Sequence, residues 1–378
     1  MTPVRPRRVL YAIGLNPSLK FGSLEEQIFL LARTFKEHDS LFLPLFESPL
    51  GPEAQAMYQA AGLEAGWLNL ETFNFTTLLQ LMRLIYRHKI EILHWSFYHP
   101  LINGYIWSLT ILMPGLRHYF TDHISRNLPI DPPAGGLKRL LKKVLLKRYS
   151  KVLCISDFVL ECLKAEGVWS NLYCRTHFIN TERFRPDDLA RSRLRKELDV
   201  GSQFVVLVVA QLISEKGIDV VLKALRKLPT RIVLWIVGDG PEGGRLRELC
   251  KALSLETRVC FFGYQVNVSP YLQAADCLVC PSVWAEAAGL VILEGLACGL
   301  PVIGSAVGGI PQFIEDGRTG FLFPAGDDIQ LAERIGRLEG DPEACKRMGL
   351  KARSVAVERF SPEKRIGGYL ELYGAPAR

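Results

Sequence analysis

The chain has 378 residues, 48% of them hydrophobic, and carries 46 Lys and Arg against 39 Asp and Glu, a formal net charge of +7. That length and apolar content exclude a disordered tail or a disulfide-stapled mini-domain and predict two folded domains. Nine cysteines, odd in number and scattered, point to free thiols in a reducing cytosol.

The N-terminus, MTPVRPRRVLYAIG, is basic but lacks a long apolar segment before a cleavage site, so it does not read as a signal peptide. Residues 8–13 (RVLYAI) read as a strand, followed by the loop LNPSLKFGS and a helix with apolar Ile28, Leu30, Leu31 and Phe35. Residues 40–46, 90–95, 117–122 and 151–156 read as further buried strands with helical patterns between them. This alternation predicts a parallel α/β sheet whose ligands sit at the strand C-terminal ends. His123 falls at such an end, after YFTD, whereas His94, His99 and His118 read as structural. The stretch from Ile92 to Leu116 holds no charged residue. Pro100, Asn103, Gly104 and Pro114 interrupt it, so it reads as a buried strand plus a buried helix rather than a membrane span.

Charge is uneven. Residues 1–183 hold 21 Lys and Arg and 15 Asp and Glu, a net of +6, and the remainder holds 25 and 24, a net of +1. The basic excess gathers in LKRLLKKVLLKRYSK (137–151), where apolar residues recur at helical spacing and no acid occurs. Lys138, Arg139, Lys142, Lys143 and Lys147 either form the solvated face of a surface helix or rest on anionic lipid. No aromatic interleaving supports a nucleic-acid partner.

The strand–helix pattern restarts with FVVLVVAQL (204–212), followed by Ser214-Glu215-Lys216-Gly217 and a helix. Gly238-x-Gly240-x-x-Gly243 after a strand mimics a dinucleotide fingerprint. The next strand, VCFFGYQ (259–265), ends without the acidic residue that fingerprint needs, and Pro241 interrupts the turn, so NAD binding is not expected. Cys277 and Cys280 form a C-x-x-C within an apparent buried strand. Residues three apart there point to opposite faces, so no metal site is expected.

The densest stretch is PSVWAEAAGLVILEGLACGLPVIGSAVGG (281–309). It reads as loop, helix, turn, strand and turn, with Glu286 in the loop and Glu294 on a helix that begins near Gly289. Glu-x7-Glu occurs three times in the chain, but only this pair brackets a glycine and an otherwise charge-free helix. A helix N-terminus presents unpaired N–H groups that suit a phosphate, and flanking carboxylates can grip hydroxyls.

Together these pieces resemble glycosyltransferase family 4, retaining enzymes of the GT-B fold. The likeness is carried by Glu286-x7-Glu294, ACGLPVIGSAVGGIPQFI, DGRTGFLFPAGD, SEKGIDVVLKAL and VGDGPEGGRLREL. It implies two Rossmann-like β/α/β domains facing across a cleft. The acceptor-side domain would span 1–183, the nucleotide-sugar domain 184–360, and a helix in 361–378 would cross back to the first domain. It also implies transfer of a sugar from a nucleoside-diphosphate (UDP or GDP) sugar to a hydroxyl acceptor, with retained configuration. By resemblance Glu286 holds sugar hydroxyls, Glu294 the ribose, and Lys216, Gln211 and the amides near Gly289 and Leu290 the diphosphate. Tyr264 flanks the base, Gly22 lies in the partial glycine motif Gly22-Ser23-Leu24-Glu25, and His123 lines the sugar.

The absence of any Asp-x-Asp fits phosphate handling by helix dipole and cation, with no metal and no cofactor beyond the sugar-nucleotide substrate. A cytoplasmic enzyme, peripheral on the inner membrane face and working on an envelope glycan or lipid-linked acceptor, is the expectation. Two departures stand out. Gln211 occupies the family's arginine position, and the hinge HFINTERFRPDD (177–188) has His177, Phe178 and Asn180 where the family writes Asn, Gly and Asp. They keep two alternatives open: a noncatalytic sugar-nucleotide-binding subunit, or a GT-B epimerase or hydrolase.

Overall fold

The computed structural model describes residues 7–18, 21–99, 103–126 and 146–374. Of the basic segment, Lys138, Arg139, Lys142 and Lys143 lie outside the described residues; Lys147 lies within them, exposed, in a turn. Two compact units emerge: Met1–Ile124, Asp131–His177 and Pro362–Arg378 form one, and Ser125–Ile130 with Phe178–Ser361 forms the other.

The first unit is built on seven parallel strands. They are β1 (Arg8–Ile13), β2 (Leu41–Phe46), β3 (Gly66–Trp67), β4 (Ile92–Ser96), β5 (Arg117–Asp122), β6 (Lys151–Cys154) and β7 (Leu172–Cys174), in spatial order β3-β2-β1-β4-β5-β6-β7. Near-continuous apolar runs make this arrangement, because a parallel sheet is covered by helices on both faces. The two-residue β3 carries no apolar run and escapes sequence reading. The charge-free stretch resolves into β4 and the helix Gly104–Leu112, whose first amides at Tyr105 and Ile106 are capped by Asn103 Oδ1. That helix is buried at Tyr105, Ile106 and Leu109 but not at its C-terminal end. Ile111 is 72% and Leu112 54% exposed, which corrects the expectation of a buried helix.

The second unit holds six parallel strands in order β10-β9-β8-β11-β12-β13. These are β8 (Phe204–Val209), β9 (Ile232–Val237), β10 (Val259–Gly263), β11 (Cys277–Cys280), β12 (Val302–Ser305) and β13 (Gly320–Phe323). The chain reverses its direction of travel across the sheet between β8 and β11, the position where such sheets open a ligand crevice at their C-terminal edge.

The units part at His177/Phe178, ahead of the 183/184 position read from the hinge. The cause is packing. Phe178, Ile179 and Phe184 are buried in the second unit, Ile179 N–H donates to Phe360 O at 2.9 Å, and Arg353 Nη1 gathers the carbonyls of Thr181, Phe184 and Ala297. The helix Pro362–Tyr373 belongs to the first unit. Its Tyr373 ring is fully buried, stacks on Tyr119 with centroids 5.6 Å apart, and bonds through its hydroxyl to His94 Nδ1 at 2.5 Å.

All seven histidines of the chain fall in the first unit's segments and none in the second's. Burial lowers His94 to about 3, His118 to about 4 and His177 to about 4 from the ordinary 6.5. Unfolding lets these imidazoles take up protons that the folded unit refuses. Their contribution is therefore intact above pH 6.5 and lost as pH falls below it, by up to about 1.4 kcal/mol per pH unit for each histidine. We expect the first unit to loosen before the second between about pH 6.5 and pH 4. Hydrogen exchange read separately for the two units checks this, and equal loosening of both would contradict it.

Candidate functional site

At the C-terminal edge of the second sheet, two loops are drawn together by a glycine. Gly217 closes the turn after β8 with φ +62°, and a Cβ there would lie 2.2 Å from Pro281 O in the loop after β11. Only a residue without a side chain permits that approach. Val283 N–H donates across the gap to Glu215 O at 2.9 Å. The result is that Lys216 Nζ reaches Glu286 Oε1 at 2.6 Å. Ser282 Oγ donates to the same carboxylate oxygen, and Ser305 Oγ, at the end of β12, donates to Ser282 O at 2.7 Å. Glu286 itself is 5% exposed.

The Glu286 loop is held on two further sides. Gly309 N–H donates to Glu286 O at 2.7 Å, and a Cβ on Gly308, at φ +58°, would fall 2.4 Å from that carbonyl. Arg126 and Ala285 exchange both backbone hydrogen bonds at 2.9 Å, and Ala287 N–H donates to Ser125 Oγ at 3.1 Å. The helix Leu290–Ala297 follows directly, with Gly289 as an N-cap that offers no side-chain acceptor. Glu294 lies buried on this helix, and Gly295 lets it press against Leu278 of β11. Burial and the Glu286 carboxylate push the Cys280 thiol up to about 12, so it stays protonated and is no nucleophile.

Gln211 and Tyr264 sit at the ends of β8 and β10 on the same edge, both exposed. The Gln211 side chain makes no hydrogen bond among the described residues. The glycines of the dinucleotide look-alike serve packing: a Cβ on Gly238 would meet Ala210 O at 1.8 Å and one on Gly240 would meet Leu212 O at 2.5 Å. Among the described residues no three His, Cys, Asp or Glu side chains converge as a metal site would require.

His123 and Gly22 belong to the first unit. His123 lies just beyond β5, stacked on Phe97 with centroids 4.0 Å apart and on His177 at 5.5 Å, and its Nε2 meets Ser96 Oγ at 2.8 Å. Phe97 holds φ +64°, a strained backbone for a bulky residue and a common mark of a functional site. Burial first, then the His177 and His94 imidazoles, hold the His123 pKa well below 6.5, so the ring is neutral near pH 7. Gly22 begins the helix Ser23–Glu37, and its N–H donates to Glu25 Oε2 at 2.9 Å.

Sequence reading brought out Lys216 and Glu286 separately, without their ion pair. It passed over Trp284, whose ring centroid lies 6.0 Å from Lys216 Nζ and whose buried Nε1–H has no partner among the described residues. An aromatic two residues before Glu286 was the only available signal.

Comparison with known proteins places this edge in a recognised segment. Residues 191–355 match the family model described as Glycosyl transferases group 1. The chain is 37% identical over 185 residues to N-acetyl-alpha-D-glucosaminyl L-malate synthase of Bacillus anthracis, covering 48% of each chain. It is 32% identical over 205 residues to a GDP-mannose-dependent alpha-(1-6)-phosphatidylinositol monomannoside mannosyltransferase of Mycolicibacterium smegmatis, covering 51% of this chain and 54% of that one. The chain spans about half the length of these curated relatives. Among solved structures, Anabaena Alr3699/HepE in complex with UDP aligns with a TM-score of 0.79 at 19% identity, over 98% of this chain and 100% of that one. The fold is that of the GT-B glycosyltransferases.

In this GT-B chain the Gly308 contact makes a local test. Gly308→Ala is expected to destabilise the second unit by about 2–4 kcal/mol, because clash adds to strain. Gly317→Ala, at φ +73° with no atom within 4 Å, is expected to lose only about 1 kcal/mol. Denaturant titration separates them, and equal losses would show that backbone strain alone sets the cost.

Proposed function

We propose that this protein transfers a hexosyl group from a nucleoside-diphosphate sugar to a hydroxyl of a cell-envelope glycan or lipid-linked acceptor, with retention of anomeric configuration as in family 4. The observation that carries the reading is the buried Glu286 carboxylate held 2.6 Å from Lys216 Nζ, immediately before the uncapped helix Leu290–Ala297. An ammonium has three donors, so Lys216 can hold Glu286 and still meet a phosphate. The amides at Gly289 and Leu290 add the positive end of the helix dipole. Glu286 then takes sugar hydroxyls, Glu294 the ribose, and Tyr264 the base, while His123 serves the sugar as a neutral imidazole. UDP is supported by the HepE complex and GDP by the mannosyltransferase relative. Leaving-group charge is met by Lys216 and the helix, with no metal required.

Gln211 favours a second reading, a sugar-nucleotide-binding subunit without turnover. An uncharged, exposed amide stands where the family has a cation for the diphosphate.

The enzyme is also proposed to work from the cytoplasm, peripheral on the inner membrane face. No helix among the described residues is long and apolar enough to cross a membrane. Support for a surface contact comes from the helices Phe75–Arg87 and Gly104–Leu112, which contain no Asp or Glu. The first exposes Phe75, Leu79 and Tyr86 together with Arg83 and Arg87, the second exposes Ile111 and Leu112, and the Arg148 guanidinium lies 4.7 Å over the Trp107 ring. Exposed apolar groups next to cations suit an anionic headgroup layer.

A panel of UDP- and GDP-sugars, read for released nucleotide with EDTA present, tests the activity. Wild type is expected to release one of them, and Glu286→Ala to lose at least about a hundredfold in rate. Release restored only in Gln211→Arg would support the binding-subunit reading. Nucleotide binding without release in either form would end the transferase reading.

Sedimentation with phosphatidylglycerol vesicles tests the surface. Binding is expected to fall about tenfold or more in the double variant Ile111→Asp, Leu112→Asp. Unchanged binding in that variant, with loss on reversing Lys138 and Lys142, would assign the contact to the basic segment alone.

A further inference from the structure

His177 is where the hinge departs from its family, and the structure gives that departure a place. It is the first unit's last residue before the chain enters the second unit, and it is 5% exposed. Its ring stacks on His123 at 5.5 Å and 20°, and Phe97 stacks on the same imidazole at 4.0 Å and 12°.

A relay fixes the His177 ring. Its Nδ1 meets Gln27 Oε1 at 3.0 Å, Gln27 Nε2 donates to Tyr369 OH at 3.4 Å, and Tyr369 OH donates to Thr176 O at 3.4 Å. The carbonyl at the end can only accept, so the order of protons runs back along the chain and makes His177 Nδ1 the donor. Arg365 Nη2 binds Thr176 Oγ1 and Arg175 Nε donates to Gly368 O at 3.4 Å, so the helix Pro362–Tyr373 grips residues 175 and 176 directly. On His123, Ser96 takes Nε2, and Nδ1 has no partner among the described residues.

We propose that His177 is a positioning residue for His123: it clamps the ring against Phe97 and holds it in one orientation, with Nδ1 left for a ligand hydroxyl. Asparagine, the family's residue here, has no aromatic ring to stack. The C-terminal helix thereby acts on the site through Tyr369, Gln27 and His177. The titratable groups around the stack are Tyr11 on β1, His94 on β4, Asp122 on β5, and Tyr369 and Arg365 on the C-terminal helix. Of these, His94 opposes a charge on His123 together with His177 itself. Removing His177 takes away both cover and repulsion, so the His123 pKa must rise toward 6.5.

The consequence for turnover rests on the donor-side role of His123 proposed above; the positioning itself does not. Imidazole-labelled protein is titrated by NMR as wild type, His177→Asn, His177→Phe and Gln27→Met. In His177→Asn the His123 midpoint is expected to rise by about one pH unit or more and its ring-current shift to change. His177→Phe keeps a ring in place and is expected to move it less. Donor turnover in His177→Asn is expected to fall about tenfold below pH 6.5 and less above it. A His123 midpoint and shift unchanged in folded His177 variants would overturn the proposal. Should those variants not fold, an unchanged His123 in Gln27→Met would do the same. A shifted His123 with turnover unaffected by His123→Ala would uphold the positioning while removing His123 from the reaction.

Discussion

Glu286 is a carboxylate taken out of water at the edge of a parallel sheet, and much around it exists to make that tolerable. An isolated buried charge costs several kcal/mol. Lys216, Ser282 and the strap of Arg126 and Ser125 onto Ala285 and Ala287 offset that cost by supplying a counter-charge, a donor and a fixed backbone. The pair needs two glycines to form at all, since Gly217 lets the lysine loop touch Pro281 and Gly308 lets the following turn touch Glu286 O. A pattern such as Glu-x7-Glu is thus less informative than Gly217, in the turn after the neighbouring strand β8, which lets its partner come within 2.6 Å.

The first unit solves a different problem with the same architecture. Its strand ends gather neutral aromatics and imidazoles in place of an ion pair. His94, sealed between Tyr373 and Thr121, and the stack of Phe97, His123 and His177 are all uncharged near pH 7 because burial penalises the imidazolium. One unit therefore offers a charged grip and the other a neutral, aromatic one.

Much of this was legible in the sequence because the signals were local. The strands read at 8–13 and 117–122 coincide with β1 and β5, the run starting at 204 opens β8, and Gly289 marked the start of the helix bearing Glu294. What stayed hidden was set by distant packing. The Lys216–Glu286 pair spans 70 positions and the His177–Gln27 bond 150. The hinge looked like a linker by its turn residues, yet Phe178 and Phe184 are core residues and the boundary follows them. Two-residue β3 had no apolar run to announce it, and the helix Gly104–Leu112 looked buried because hydropathy does not say which end of a helix meets solvent.

Gln211 shows how structure refines a sequence difference without erasing it. The amide stands at the end of β8, exposed and without a protein partner among the described residues, so nothing in the fold has claimed it for packing. Had it been recruited into the core, the lost arginine would mean a rebuilt edge. The Gly217 turn and the Lys216–Glu286 pair form with an uncharged amide at position 211. In the proposed transfer, Lys216 and the helix Leu290–Ala297 would carry the leaving-group charge alone. A single cation beside a helix dipole still stabilises developing negative charge, though less than two cations do. Under that proposal the penalty would fall on the rate of the chemical step more than on ground-state recognition, because transition-state charge is what an arginine would have met.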